Sequence, residues 1–276
     1  MNFFSFFGSQ YGNLGRYRQI IRVLLYYGFD EIVSYMEENK RYSLIRKLIP
    51  SKKKINAASI SKWERLRMVC EELGPTFVKF GQLLSNRPDI LPAELVVEFE
   101  KLQNGVPPVA GNIAVSLVES EFKGKVDHLF AFFEKNAFAS ACMAQVHRAQ
   151  LMTGEEVVLK IQRPGIQEVI EADIRVMKYI AGEIVQRVPS LRGLDPVGLV
   201  RQFEESILQE LDFIHESVSI QRFSSNFSRE QKRKPIVYSP RVYPELTTSK
   251  VLTMEFVDGI KMRSEFKSDG TEFQEE

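Results

Sequence analysis

The pattern of apolar and polar positions changes character near residue 137. Ahead of it, apolar residues recur at three- and four-residue spacings, and the segments read as helices. A helix over about 62–73 stops at Gly74, and Pro75 suits the first turn of the next. That second helix must end before Pro88, because the residue ahead of a proline is pushed out of helical angles. Pro92 opens a third, "AELVVEFEKLQ", and a fourth is expected over 111–121. Beyond 137, "ACMAQVHRAQL" and "EEVVLKIQ" are β-prone runs separated by "MTG", a hairpin signature. Alternation along the second run sends Val157, Leu159 and Ile161 to one face and Val158, Lys160 and Gln162 to the other. Arg163-Pro164-Gly165 breaks the strand. A helix over about 166–187 follows, with Ile166, Val169, Ile170, Ile174, Met177, Ile180, Ala181 and Ile184 as its stripe. Asp195-Pro196 caps a long helix over about 197–225, and after the basic loop "SREQKRKP" two more strands are expected, "PRVYPEL" and "KVLTMEFV". The expected class is α+β: an antiparallel sheet with long helices covering one side.

Composition adds little to this picture and excludes some things. The 276 residues carry 37 Lys and Arg against 36 Asp and Glu, so no global charge draws the chain to nucleic acid. Cys70 and Cys142 make neither a disulfide framework nor a metal cluster, which suits a reducing compartment. Residues 1–54 depart from the neutral balance: they are basic, end in Lys52-Lys53-Lys54 and carry Phe3, Phe4, Phe6, Phe7, Tyr26, Tyr27 and "IIRVLLYYGF". The longest apolar run there is far short of the ~20 residues a spanning helix needs. Two readings stay open for it, a helical hairpin docked on the domain and an amphipathic surface lying on an anionic bilayer.

Candidate chemistry centres on three places. Lys160 points from its strand after the loop "AFASACMAQVH", whose small residues Ala139, Ser140, Ala141 and Cys142 let a backbone approach phosphates. The alternative is a lysine at a sheet edge. "QELDFIHES" puts Glu210, Asp212 and Glu216 on one helix; Glu210 and Glu216 lie about 120° apart around its axis, so they suit two different cations or simply solvent. "KFGQ" sets Lys79, Gly81 and Gln82 on an otherwise apolar helix, where Lys79 either meets water or serves a site. A thiol beside a lysine and phosphates could have a lowered pKa, or Cys142 could be an inert filler. His128, His147 and His215 stand in no catalytic or metal-ligating constellation.

Six motifs in order, "KFGQLLSNRPDILP", "KLQNGVPP", "SACMAQVHRA", "VVLKIQRPGI", "ELDFIHES" and "VLTMEFVDG", resemble those of the UbiB-type atypical kinases, a family linked to ubiquinone biosynthesis. Asn104 replaces the family's usual aspartate, and Cys142 its usual serine. The resemblance implies a protein-kinase-like small lobe over 126–262, a helical extension over 61–125 carrying K-x-G-Q, a basic helical segment over 1–60 and a tail over 263–276. It implies that ATP or ADP with Mg2+ binds here. Lys160 would hold the α- and β-phosphates and pair with Glu216. Met254 would be the gatekeeper, with Glu255 to Val257 along the adenine. Lys79 would pair with Glu210 across the nucleotide site, Gln82 would face the same pocket, and Gly81 would lie on the opposite, apolar side beside Phe77, Phe80 and Leu84. Implied partners are nucleotide, membrane lipid or quinone intermediates and quinone-biosynthesis enzymes, at the cytoplasmic face of a membrane. Neither H-x-D followed by asparagine nor D-F-G occurs in the sequence. The expectation is therefore a second lobe missing, no catalytic residue or metal ligand in this chain, and no ATP turnover by it alone; a nucleotide-sensing or lipid-binding scaffold is the alternative.

Overall fold

The computed structural model describes residues 11–36, 60–102, 107–230 and 237–259; the expected tail at 263–276 and the run Lys52 to Lys54 lie outside the described residues. Five helices come first: α1 (Tyr11–Tyr26), α2 (Asp30–Met36), α3 (Lys62–Leu73), α4 (Pro75–Ser85) and α5 (Ala93–Glu100). Ser61 caps α3 by accepting a hydrogen bond from the Glu64 amide, and Gly74, at φ 95°, turns the chain between α3 and α4. That positive φ is the reason a glycine stands there. α6 (Gly111–Phe122) and the one-turn α7 (Val126–Leu129) lead into the sheet.

The sheet runs β1 (Phe130–Phe133), β3 (Ala144–Leu151), β4 (Glu156–Gln162), β5 (Val251–Glu255), all antiparallel, with the two-residue β2 (Ala139–Ser140) also on β3. Its first strand, "FAFF", begins at 130 rather than near 137. The two runs flanking "MTG" do pair, Val146 opposite Lys160 and Arg148 opposite Val158. Val157, Leu159 and Ile161 are buried with Val251, Ala114 and Val118, so that face of the sheet packs on α6. The other face carries Ala144 and Leu252 against Phe213 and Val242 in a smaller cluster.

After β4 come α8 (Ile166–Arg187), α9 (Pro196–Leu211) and α10 (Phe213–Glu230). Two expectations need correction. The single helix over 197–225 is two helices, because Asp212 adopts an extended conformation (φ −100°, ψ 101°) and interrupts the helical ladder. "PRVYPEL" is not a strand: it contributes one isolated bridge, Val242 to Met254, and a 3-10 turn at Pro244–Leu246. Prolines at 240 and 244 remove the amide donors that a ladder there would need.

A second, mainly helical core joins α1 through α5 to α8 and α9. Ile20, Ile21, Leu24, Leu25 and Val33 are buried with Leu73, Phe77, Ile170, Ile174 and Met177. Of the two readings of the amino-terminal segment, residues 11–36 thus take the docked one. At the centre lies Asp173, fully buried on α8. It accepts from the Arg16 guanidinium at 2.5 and 3.0 Å and from the Thr76 hydroxyl at 2.6 Å, tying α1, α4 and α8 together.

Candidate nucleotide site

The site forms where the two cores meet. On α4, Phe80 packs edge-on against Phe203 of α9, with ring centroids 5.0 Å apart. Two turns further along α9, Glu210 comes level with the neighbouring Lys79, and Lys79 Nζ donates to Glu210 Oε1 at 2.7 Å. Gly81 is buried on the other side of α4; a Cβ there would collide with Leu102 Cδ1 and touch Phe99, so its lack of a side chain sets the approach of the 93–102 segment. Gln82 donates to the Leu102 carbonyl at 2.9 Å, so this bond turns the amide toward the extension itself.

Across the joint, Asp212 separates α9 from α10. Its carboxylate accepts from the Ile214 amide at 3.0 Å, starting α10, and its backbone break lets Glu210 and Glu216 sit on different helices. Phe213 is buried directly after the break, and its amide donates to the Ser249 carbonyl. Glu216, in the first turn of α10, accepts from Lys160 Nζ through both oxygens at 2.9 and 2.7 Å. The same ammonium lies 4.8 Å from the centroid of the Phe213 ring. Gln162, on the Lys160 face of β4, donates to the carbonyls of Leu211 and Ser249 and so pins the joint to the strand.

Both ion pairs are a quarter to a third exposed: 24% and 35% for Lys79 and Glu210, 25% and 33% for Lys160 and Glu216. Pairs of that exposure contribute about 0–1 kcal/mol to stability. Stability is therefore a weak reason for placing four charges here, and a charged ligand is a better one.

The small-residue loop lies beneath the helical extension. Cys142 and Met143 are buried in the helical core, while Ala139 and Ser140 pair with Val146 and Gln145. Arg163, just past β4, holds the loop in shape by donating to the Ala141 carbonyl at 3.0 Å, the Ser140 hydroxyl at 2.7 Å and the Pro107 carbonyl at 2.9 Å. Burial pushes the Cys142 thiol up, more than the positive charges of Lys79 and Arg163 pull it down; Glu210 adds to the rise. Of the two readings of this thiol, the inert one fits. Arg163 was not singled out in the sequence, since nothing in "QRPG" distinguishes an arginine that bonds a loop from one in water.

On the base side, Met254 is half-buried on β5 opposite Val158. The Glu255 carboxylate accepts from the Tyr238 hydroxyl and the Arg241 amide and is held below the usual carboxylate range, chiefly by Tyr238. Val257 is exposed. Among the described residues no group of three His, Cys, Asp or Glu side chains could hold a metal ion, and no helix is long and apolar enough to cross a membrane.

Comparison with known proteins gives the family of the chain. Residues 101–276 match the model of the ABC1 atypical kinase-like domain. Among curated proteins, the chain is 35% identical over 252 residues to "Probable protein kinase UbiB" of Pseudomonas fluorescens, covering 90% of this chain and 46% of that protein. It is 36% identical over 253 residues to the protein of the same name from Serratia proteamaculans, covering 90% and 45%. The chain thus spans less than half the length of these relatives. A solved structure, the Rv3197–erythromycin complex from Mycobacterium tuberculosis, aligns with a TM-score of 0.46 at 21% identity, over 80% of this chain and 48% of that one. The antiparallel sheet with its long helices fits the kinase-like fold of that domain, and the family match covers more than half of the residues. The chain belongs to the ABC1 atypical kinase-like family.

Proposed function

We propose that these residues hold an adenine nucleotide, ATP or ADP with Mg2+, for a UbiB-type atypical kinase or ATPase that supports ubiquinone biosynthesis. Lys160 neutralises the α- and β-phosphates and Glu216 holds it in place. The backbone of Ala139 to Cys142 approaches the phosphates, and Met254, Glu255 and Val257 line the base. Lys79 and Glu210, with Gln82 and Asp212 beside them, form the cover that the helical extension adds. The observation that carries this reading is the pair of ammonium groups, 2.7 Å from carboxylates on two consecutive helices, beside a loop of small residues.

The sequence contains no H-x-D with asparagine and no D-F-G, the groups that position a nucleophile and hold the metal ions in kinases. We therefore assign these residues nucleotide binding without phosphoryl transfer, and the transfer step to the whole protein. The second reading is a non-catalytic nucleotide-sensing or lipid-binding scaffold for quinone-biosynthesis enzymes. Isothermal titration with ATP and ADP, with and without Mg2+, tests the first. Binding that falls at least tenfold in Lys160→Ala while the fold persists supports it; wild-type protein that binds neither nucleotide overturns it. Hydrolysis by a full-length protein whose Lys160→Ala variant is inactive favours the enzyme over the scaffold.

A further inference from the structure

The Lys160 face of the sheet carries an arginine that the nucleotide reading leaves unused. Arg148 lies on β3 opposite Val158, and Val158 lies opposite Met254, so these three form one row across the sheet. Val146, Lys160 and Leu252 form the next row. Residues directly opposite one another share a face, so Arg148 stands on the same side as Lys160, one row or about 7 Å further along.

The Arg148 guanidinium carbon sits 4.4 Å from the centroid of Phe138 and 4.3 Å from that of Phe256. The two rings are perpendicular, at 87°, with centroids 6.1 Å apart, so the guanidinium fills the corner between them. The rings come from the two segments that matter most to the site. Phe138 immediately precedes the small-residue loop, and Phe256 immediately follows Glu255. Each is tied to the hairpin by one backbone bond, Phe138 N to Val146 O at 2.7 Å and Phe256 N to Glu156 O at 3.1 Å. Phe138 is 55% exposed. An aromatic ring so exposed gains little from burial, and the cation at its face supplies what orients it.

We propose that Arg148 is a positioning residue for the base end of the nucleotide, holding Phe138 and Phe256 as the outer wall of the base pocket so that binding depends on the purine and not on the phosphates alone. The inference rests on the nucleotide reading of the site and adds to it a source of base selectivity. The guanidinium joins the loop before the phosphates to the segment after the gatekeeper, and without it each ring is free to rotate into solvent.

The test is titration of ATP, GTP and inorganic tripolyphosphate into wild-type protein, Arg148→Met, Arg148→Lys and Phe138→Ala. Arg148→Met keeps the volume and loses the planar charge. It is expected to bind ATP about tenfold more weakly, with the preference for ATP over GTP reduced and tripolyphosphate affinity unchanged. Arg148→Lys recovers part of the loss, and Phe138→Ala reproduces it. ATP affinity unchanged in Arg148→Met, or ATP and tripolyphosphate weakened equally, overturns the proposal and leaves the nucleotide site standing. Wild-type protein that binds tripolyphosphate but no nucleotide overturns it too; no binding of any of the three removes the nucleotide reading itself.

Discussion

Lys79 illustrates how a single residue changes meaning with its surroundings. On its own helix it is one cation among apolar neighbours; across the fold it is 2.7 Å from Glu210. Lys79→Ala is expected to cost about 1 kcal/mol or less in chemical denaturation, since the pair is partly exposed. It should change nucleotide affinity or selectivity far more than that stability loss accounts for. His147 behaves in the opposite way. It is fully buried, its Nδ1 bonds the Glu134 carbonyl at 2.9 Å, its Nε2 meets the Gln145 amide at 2.7 Å, and its ring stacks on Phe133. Burial lowers its pKa, more than its bond to Glu134 raises it. The unfolded chain therefore binds the proton more readily, so this contribution to stability is complete above the ordinary imidazole value of ~6.5 and is lost as pH falls below it. Melting temperature should drop between pH 7 and 5, and drop less steeply in His147→Gln. The thiols give a third check at this scale. Cys70 is buried and pushed up to about 12, and Cys142 is also buried and raised. Neither is expected to react with a thiol reagent at neutral pH until the protein is unfolded.

At the level of elements, much was readable from punctuation. Gly74-Pro75 divides α3 from α4, Asp195-Pro196 opens α9 with the Asp195 carboxylate accepting from the Gly198 amide, and the alternation around Lys160 describes β4 correctly. The sequence predicts an unbroken helix through Asp212 because nothing local stops one at "ELDFIHES"; helical periodicity continues through it. The break is decided by distant bonds, those of Gln162 to the Leu211 carbonyl and of the Phe213 amide to the Ser249 carbonyl. Gly81 marks the close contact between α4 and the 93–102 segment. Gly81→Val is expected to destabilise by about 1–3 kcal/mol through overpacking against Leu102 and Phe99. Because α4 also carries Lys79, the same variant should disturb nucleotide binding, whereas Val97→Ala, at an exposed position of α5, should not.

For the whole molecule, Asp173 is the point where the amino-terminal helix, the helix carrying Lys79 and the long α8 are joined. The carboxylate is fully buried and doubly paired, so removing it leaves Arg16 without its counter-charge and Thr76 without its acceptor. Asp173→Ala is expected to cost about 3–5 kcal/mol, read as a lower denaturant midpoint with unchanged slope. The fold also limits the bilayer reading of residues 1–54. The apolar side of α1 is buried against α8, with Ile20, Ile21 and Leu24 inside the core. Attachment through the amino terminus would thus fall to residues outside 11–36. Sedimentation with anionic vesicles that weakens as salt rises is the expected result for the basic run at Lys52 to Lys54; no sedimentation at low salt removes that role from it.

The order of residues alone determined the helix boundaries at Gly74 and Pro75, the strand that aims Lys160 away from Val157 and Leu159, and the family that these motifs resemble. Those are local matters, decided by φ preferences and by side-chain alternation within a few residues. Tertiary structure decided which carboxylate meets which ammonium, that Asp212 separates two helices where one was expected, that Arg163 bonds the small-residue loop and that Arg148 lies over the Phe138 ring. The physical reason is the reach of the forces involved. An ion pair or a cation over a ring here depends on atoms brought within a few ångströms from positions as far as 157 residues apart in sequence, and no periodicity records that distance.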